Sequence, residues 1–367
     1  MGDGLTAFSH ARHRRRGAAG RGLPLGLAAG VALLLALAGV GATEDAGGHG
    51  PASGSCDRFA APHGSDSAPG TLLRPFRSAP RLAAALRPGQ TGCLRGGAYR
   101  SRDLRVETRR TTLRPYQNER VTLRADIRLA PSARSSVLAG MTLDGTSGGS
   151  EIQLTLFADH SVLRGNTITN RHSSASCVYV APYHSRPPPR GVRIVGNKIH
   201  DCGGLPATNH DHGIYVAGAH RTLIKGNWIY DNADRGIQLY PAAKRTQALG
   251  NIVDSNGWGV VFGGDDSGSC SNGNKVVRNV IANSRLSWNV HSTPQGPRCR
   301  RNVLRRNCVF SRLNDPQQGS NGGVQKPSRS FRARRNLIAR PSYRNRKSGD
   351  LRLRPGTRCA RVVNAGG

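Results

Sequence analysis

The sequence predicts an all-β solenoid, in which short parallel strands form a coil with one turn for each sequence repeat. The first observation is a pattern centred on Asn, usually with Gly or Arg before it and Ile or Val within two residues after it. The pattern recurs at Asn166, Asn197, Asn227, Asn251, Asn279, Asn307 and Asn336, in steps of 24 to 31 residues. A period of this size indicates a stack of equivalent structural units.

The second observation is a set of short apolar runs between these asparagines. They lie at residues 178–180, 214–216, 237–239 and 260–262, and they are too short for helices. We therefore expect each strand to pair in parallel with its counterpart one coil on, about 4.8 Å away. The buried Asn amides would bond to one another along the stack. A leucine-rich repeat is the alternative, but its Leu-x-x-Leu-x-Leu pattern and its helical stretches are missing.

The N-terminal 42 residues have the layout of a secretory signal. Several arginines precede an apolar run from residue 23 to residue 40, and the small residues Gly41 and Ala42 follow it. We expect cleavage near Ala42, with an uncleaved membrane anchor as the alternative. Residues 43–70 are rich in Gly, Ser, Pro and Ala, and this composition predicts a flexible linker.

The cysteines agree with export from the cytosol. The chain has eight of them, an even number, and none forms a Cys-x-x-Cys pair. We therefore expect disulfides and an extracellular or cell-envelope location, with metal ligation as the weaker alternative. Proximity along the chain favours the pairs 56–93, 177–202, 270–299 and 308–359, although eight cysteines allow many other pairings.

The remaining chain divides into three parts. Residues 71–145 are predicted to form an N-terminal cap with the first irregular coils, including a short capping helix over 77–87, because an open end of a solenoid exposes its apolar interior. Residues 146–340 hold the β-helix repeats. Residues 341–367 form a basic C-terminal tail.

The formal net charge is +33, and most of the basic residues are arginine. A positive field of this size favours polyanions, and outside the cell these include acidic polysaccharides. A compositional origin is the alternative, because a genome rich in G and C encodes Arg in place of Lys. A nucleic-acid partner is disfavoured because aromatic residues are sparse, at 5%. We expect a monomer that contacts membranes only through an uncleaved N-terminal segment.

Several motifs resemble right-handed parallel β-helix proteins of the pectate-lyase-like superfamily. They are the Gly-Asn-x-Ile steps, the run Asp-His-Gly-Ile-Tyr-Val at residues 211–216, and the run Arg-Gly-Ile-Gln-Leu-Tyr at residues 235–240. Residues 86–99 resemble the start of alginate-type and chondroitin-type lyases. The resemblance covers about residues 71–340 and extends to mannuronan epimerases. It implies a right-handed coil and an activity on acidic polysaccharide.

Candidate chemistry is concentrated between residues 200 and 266, where seven of the 21 acidic residues and four histidines lie. If Ile214 and Val216 point into the coil, strand alternation turns Tyr215 outward. In the next coil, Gln238 and Tyr240 would face the same way. The 202–210 loop would carry His210 and Asp211 to this surface.

The resemblance implies the roles of these residues. Removing the C5 proton of a uronate requires a cation on the carboxylate, a base and an acid. Arg235 would be the cation, His210 or His212 the base, and Tyr215 or Tyr240 the acid. The remaining substrate contacts are predicted at Asp211, Asp234, Gln238 and Lys244. The run Asn-His-Asp-His at residues 209–212 loosely resembles the Asp-Pro-His-Asp signature of mannuronan epimerases, without its Pro and its first Asp.

Other kinds of site are less well supported. Clustered carboxylates are needed for Ca²⁺, and no Glu follows residue 151, so we predict no metal site or cofactor, with Ca²⁺ as a weak alternative. Asp265 and Asp266 could be the paired acids of a polysaccharide hydrolase, but Gly-Asp-Asp-Ser-Gly is also a turn sequence. The leading hypothesis is a secreted protein that acts on or binds acidic polysaccharide, as a lyase or C5-epimerase if it is an enzyme. A non-catalytic surface or matrix protein that binds polyanions is the alternative, and a hydrolase is the second.

Overall fold

Short parallel strands wind into a β-helix in the computed structural model, which describes residues 55–145, 152–173, 176–293, 298–312, 321–325, 328 and 330–364. These residues belong to one compact unit, Gly50–Gly367. The predicted signal segment, residues 1–42, lies outside the described residues. Within them, no helix has the length and apolar character needed to cross a bilayer.

One side of the coil is sheet A, to which the described coils contribute eleven parallel strands. In spatial order they are β1 (Arg58–Ala60), β2 (Thr91–Leu94), β4 (Thr112–Pro115), β6 (Val137–Ala139), β9 (Val162–Arg164), β12 (Arg193–Val195), β15 (Leu223–Lys225), β18 (Gln247–Leu249), β21 (Lys275–Val277), β24 (Val303–Arg305) and β26 (Arg332–Arg334).

The other two sides are sheets B and C, which the long strands β3 (Gly97–Val106) and β5 (Val121–Leu129) join at the first coils. Sheet B contains β8 (Ile152–Leu156), β11 (Ser176–Val180), β14 (Ile214–Val216), β17 (Arg235–Leu239), β20 (Trp258–Phe262) and β23 (Val290–Ser292). Sheet C contains β7 (Thr142–Asp144), β10 (Thr167–Thr169), β13 (Lys198–His200), β16 (Trp228–Tyr230), β19 (Ile252–Asp254), β22 (Val280–Ala282), β25 (Cys308–Phe310) and β27 (Leu337–Ile338).

The predicted asparagine ladder is confirmed at the corner between sheets A and C. The amide of each Asn donates to the side-chain oxygen of the next one, from Asn166 through to Asn336, over 2.9–3.1 Å. Each of these amides also donates to a backbone carbonyl, as Asn227 does to Ile194. The ladder therefore satisfies buried amides that would otherwise destabilise the fold.

Two further ladders were not predicted. Asn232 donates to Asn256 over 2.7 Å at the corner between sheets C and B, and Asn274 donates to Asn302 over 3.0 Å at the corner between sheets B and A. The signal was present in the sequence, because these pairs repeat the 24-residue and 28-residue steps of the main ladder.

The N-terminal end is closed by helix α1 (Ala79–Ala85), which confirms the predicted capping helix with narrower bounds. Ser78 caps it, and the buried side chains of Leu82 and Ala83 pack against the first coils. The linker predicted over 43–70 is too long, since β1 pairs with β2 and Cys56 bonds to Cys93. The composition of 55–70 did not reveal this coil because it contributes only a three-residue strand.

The four disulfides are those favoured by proximity along the chain: Cys56–Cys93, Cys177–Cys202, Cys270–Cys299 and Cys308–Cys359. The last bond anchors the C-terminal segment to sheet C. That segment, predicted as a basic tail, is folded: it contains β28 (Tyr343–Asn345), a 3₁₀ turn (Arg346–Ser348), β29 (Asp350–Leu353) and helix α2 (Arg358–Asn364). Its buried Leu351 and Cys359 pack with the outward side chains of sheet C.

Candidate active site

The outer surface of sheet B carries one continuous column of side chains. Strand register places Tyr179 beside Tyr215, Tyr215 beside Gln238, Gln238 beside Val261, and Val261 beside His291. Their neighbours along each strand, such as Ile214 and Val216, are fully buried in the bore. The predicted alternation of β14 and β17 is therefore confirmed.

The loop between β13 and β14 covers one edge of this column. It is fixed at its start by the Cys177–Cys202 disulfide and across its base by a 3.0 Å hydrogen bond from the Gly204 amide to Asp211. Gly203 has a φ of +86°, and a Cβ there would lie 2.4 Å from that of Asp211, so the loop requires glycine at this position. The hydroxyl of Ser176 donates to the His210 carbonyl and accepts from the His212 amide.

Column and loop together enclose a cleft of about 440 Å³, here called the aromatic cleft. Its lining residues are Asn209, His210, His212, Tyr215, Arg235, Gln238, Tyr240, His291 and Thr293. All five residues predicted as catalytic, and Gln238, lie in this one cleft. Their chemical roles stay a prediction.

Arg235 supplies the positive charge of the cleft. Its side chain is only 11% exposed, and one guanidinium nitrogen lies 3.4 Å from Asp234 Oδ1. The guanidinium also donates to the carbonyl and side-chain oxygens of Asn209 and lies 5.2 Å from the centre of the Trp258 ring. These contacts fix a cation at the edge of the cleft, where an anionic group could bind.

His212 and Asp234 form a buried pair beneath the cleft. His212 Nδ1 lies 3.9 Å from Asp234 Oδ2, and both side chains are almost fully buried. Burial holds the pKa of His212 well below its ordinary value, and the charges of Arg235 and His210 act in the same direction. Burial also raises the pKa of Asp234 to about 6, although Arg235 opposes this shift. His212 is therefore neutral near neutral pH.

The two cleft tyrosines remain protonated. Burial raises the pKa of Tyr215, and the neighbouring Tyr179 adds to the effect. Burial also raises the pKa of Tyr240, together with the charges of Asp265 and Asp266. The Tyr215 ring meets the His212 ring edge-on, with centroids 5.3 Å apart. A neutral imidazole and a protonated phenol thus stand side by side, and both can hydrogen-bond to a ligand.

Among the described residues, several buried polar atoms at this cleft have no hydrogen-bond partner. They are His212 Nδ1, Asp234 Oδ2, Arg235 Nε, Gln238 Oε1 and His291 Nδ1. Buried polar groups in folded proteins are normally satisfied, so a concentration of exceptions indicates a surface prepared for a polar ligand.

Three of the other predicted residues have different surroundings. Asp211 stabilises its own loop through the Gly204 amide. Lys244 does not share the cleft: it is exposed and pairs with His220 and Asn272, because the chain turns there from sheet B to sheet A. Asp265 accepts hydrogen bonds from the Ser267 and Ser269 amides, which supports the turn interpretation of the paired aspartates.

Three residues of the cleft were not predicted from the sequence as site residues: Asn209, His291 and Thr293. His291 could have been found by extending the outward phase of Tyr215 and Gln238 through two more coils. His291 is also neutral, since burial lowers its pKa to about 3. Among the described residues, no group of three or more His, Cys, Asp or Glu could hold a metal ion.

Comparison with known proteins agrees with the observed fold. A family model described as a right-handed β-helix region matches residues 148–309. The crystal structure of pectate lyase Pel9A is similar, with 11% identity, a TM-score of 0.57, and coverage of 83% of this chain and 91% of that chain. The complex of XylC with xylose is also similar, with 11% identity, a TM-score of 0.51, and coverage of 70% and 69%. A search of curated proteins by sequence gives no match.

These likenesses concern the fold, because the identities are low. The chain is a right-handed parallel β-helix protein with a pectate-lyase-like fold. The fold expected from the sequence motifs is thereby confirmed.

Proposed function

We propose that the protein acts on a uronate-containing polysaccharide at the aromatic cleft, as a lyase or a C5-epimerase. The observation that carries this proposal is the grouping of a fixed cation, a neutral imidazole and a protonated phenol in one cleft, at Arg235, His212 and Tyr215. The unpartnered polar atoms around them suit a ligand with many hydroxyl and carboxylate oxygens. The likeness to a pectate lyase agrees with a substrate of this class.

The proposed reaction begins at C5 of the uronate. Arg235 binds the carboxylate and stabilises the negative charge that develops when the C5 proton leaves. The base, His212 or His210, takes that proton. In a lyase the electron pair then forms the C4–C5 double bond, the bond from C4 to the glycosidic oxygen breaks, and Tyr215 or Tyr240 protonates the leaving oxygen. In an epimerase the acid instead returns a proton to the opposite face of C5.

The two histidines have different surroundings in this scheme. His210 is exposed at the rim, while His212 is buried with the Asp234 carboxylate behind it. The imidazolium form of His212 is disfavoured by burial and by the charges of Arg235 and His210. This arrangement favours the exposed His210 as the base, and the neutral His212 for a hydrogen bond to the polymer.

A polysaccharide chain would lie along the coils. Beyond Tyr179, the same column continues through Thr155 to Arg128 and Arg105. Arg128 lies three strand steps from Tyr215, or about 14 Å at the ordinary strand spacing. A second cleft, of about 200 Å³, adjoins these arginines and contains Phe157, Tyr183 and Arg186. We expect it to bind sugar rings and carboxylates several units from the reacting one.

The proposal also places the protein outside the cytosol. The four disulfides require an oxidising compartment to persist, and polysaccharide substrates of this kind are extracellular.

The test is a screen of the purified protein against alginate, pectate, chondroitin and hyaluronan. A lyase would produce the ultraviolet absorbance of an unsaturated uronate. An epimerase would introduce solvent deuterium at C5 without chain cleavage. A carboxyl-reduced form of the active polymer should be inert, because Arg235 would then have no anion to bind. Absence of both signals on all four polymers would contradict the proposal.

Two substitutions then locate the chemistry. His210→Ala and Tyr215→Phe should each lower turnover by about 10²-fold, the usual size of an acid–base contribution. His160→Ala is the control, since His160 is exposed at the corner between sheets B and A. If both cleft variants keep full activity on a proven substrate, the chemistry lies elsewhere.

A further inference from the structure

The outer surface of sheet A is strongly and regularly basic. The seven sheet A strands concerned are β9, β12, β15, β18, β21, β24 and β26. Each turns its middle residue into the bore and its first and third residues outward. Seven of these fourteen outward positions are basic and none is acidic: Arg164, Arg193, Lys225, Lys275, Arg305, Arg332 and Arg334. These seven exposed side chains are here called the basic face.

The corners beside sheet A extend this charge. Exposed Arg221, Lys244, Arg245 and Arg301 lie on the side towards sheet B, and exposed Arg306 and Arg335 lie on the side towards sheet C. Lys244, which was predicted as a substrate contact, thus belongs to the border of the basic face.

A compositional origin does not explain this distribution. Arginine that merely follows base composition would be spread over all outward surfaces of the coil. On sheet B, which the C-terminal segment does not cover, the outward residues Tyr179, Tyr215, Gln238, Val261 and His291 include neither Lys nor Arg. The basic residues are therefore segregated onto one side of the same repeats.

The charges of the basic face are not neutralised within the described residues. None of the seven side chains forms an ion pair there, and register places Arg305 directly beside Arg334. Like charges directly opposite on neighbouring strands are destabilising. A bound polyanion would reverse this repulsion.

We propose that the basic face binds an anionic polysaccharide chain that runs along the coil axis, independently of the aromatic cleft. The two outward columns are two residues apart, about 7 Å, so the face is as wide as a single extended chain. Six of the seven strands present at least one cation, β18 being the exception, and neighbouring coils are about 4.8 Å apart, a spacing suited to a polymer with a charge on each sugar. No aromatic side chain stands in the two columns, which argues against single-stranded nucleic acid, since its bases need stacking platforms.

The test compares two triple variants with the same net charge. One carries Lys225→Glu, Lys275→Glu and Arg305→Glu on the basic face. The matched control carries Arg74→Glu, Arg87→Glu and Arg109→Glu, which are exposed near the N-terminal cap. Heparin and polygalacturonate are the probes, with neutral dextran as the blank, and affinity is measured by calorimetry at several salt concentrations.

The face variant should lose at least 10-fold in affinity and show a shallower salt dependence, while the control stays close to wild type. Equal losses in the two variants would mean that net charge alone attracts the polymer, and would overturn the proposal. Tighter binding of duplex DNA than of either glycan would overturn the assigned partner.

A further arm separates this surface from the proposed activity. Tyr215→Phe should leave heparin affinity unchanged even where it abolishes turnover. If Tyr215→Phe instead weakens heparin binding as much as the face variant does, the two surfaces are one site and the proposal fails.

Discussion

Two clusters built from Asp, Arg and Tyr side chains lie on two different sides of the same coils. On sheet C, Asp254 is fully buried and accepts hydrogen bonds from Tyr343 over 2.7 Å, Arg346 over 2.9 Å and Asn283 over 2.8 Å. On sheet B, Asp234 is equally buried, yet its Oδ2 has no hydrogen-bond partner among the described residues.

The difference arises from which hydrogen-bond donors reach each carboxylate. The C-terminal segment lies on sheet C and brings Tyr343 and Arg346 to Asp254, and Arg346 also bonds to Asp231 over 2.7 Å. A cleft opens beside each cluster, of about 440 Å³ on sheet B and about 740 Å³ on sheet C, so the two clusters differ in their hydrogen bonds and not in the space beside them. A satisfied cluster stabilises a fold, whereas an unsatisfied one in a cleft is available to a ligand. The same chemistry thus serves structure on one side and, we infer, function on the other.

The largest effect is expected from Asp254→Ala. The substitution leaves Arg346 and the Tyr343 hydroxyl without their carboxylate, so we expect the free energy of unfolding to fall by about 3–5 kcal/mol. Chemical denaturation monitored by circular dichroism measures this change.

Asp265→Ala is the matched control for Asp254→Ala. Among the described residues, the Asp265 carboxylate accepts hydrogen bonds only within its own turn, from residues 267 and 269, so its loss should cost less than about 1 kcal/mol. A similar destabilisation by both substitutions would show that the sheet C cluster has no special role.

The next effect is expected from Asp234→Asn, and it depends on pH. Because burial raises the pKa of Asp234 from 3.8 to about 6, the folded protein binds this proton more tightly than the unfolded chain. The resulting stabilisation is complete below pH 3.8 and is lost as the pH rises through about 6. Relative to wild type, Asp234→Asn should therefore gain up to about 3 kcal/mol in unfolding free energy between pH 4 and pH 7.

Unfolding curves for both proteins across that pH range provide the measurement. The comparison removes the contributions of titrating groups that do not pair with Asp234. A constant difference between the two proteins from pH 4 to pH 7 would mean that Asp234 titrates normally, and the contrast with sheet C would then disappear.

The sequence identified much of this architecture because repetition amplifies weak local signals. One Asn or one three-residue strand predicts little, but seven asparagines at a steady interval predicted the coil, the ladder and the outward phase of Tyr215. The same phase placed Gln238 and Tyr240 on the side of Tyr215, and the structure brings all three into one cleft.

The division of these polar residues between two clusters could not be predicted, because it depends on contacts between residues far apart in the sequence. The concentration of Asp and His between 200 and 266 seemed to be one feature. Asp231 and Asp254 in fact belong to the sheet C cluster, because residues about 90 to 115 positions later in the chain bind them. The C-terminal segment that provides these partners has no repeat pattern, so its position on sheet C could not be predicted.

The smallest effects are expected from a pair of Tyr→Phe substitutions, one on each side of the coil. Tyr343→Phe removes a hydroxyl that donates to a buried carboxylate, and a hydrogen bond to a charged group contributes about 1.5–3 kcal/mol to stability. Tyr215→Phe removes a hydroxyl whose partner is the neutral Gln238, so it should cost no more than about 1 kcal/mol. On a proven substrate the order reverses: Tyr215→Phe loses turnover and Tyr343→Phe keeps it. If one of these variants loses both stability and turnover while the other loses neither, stability and activity are not divided between sheets C and B.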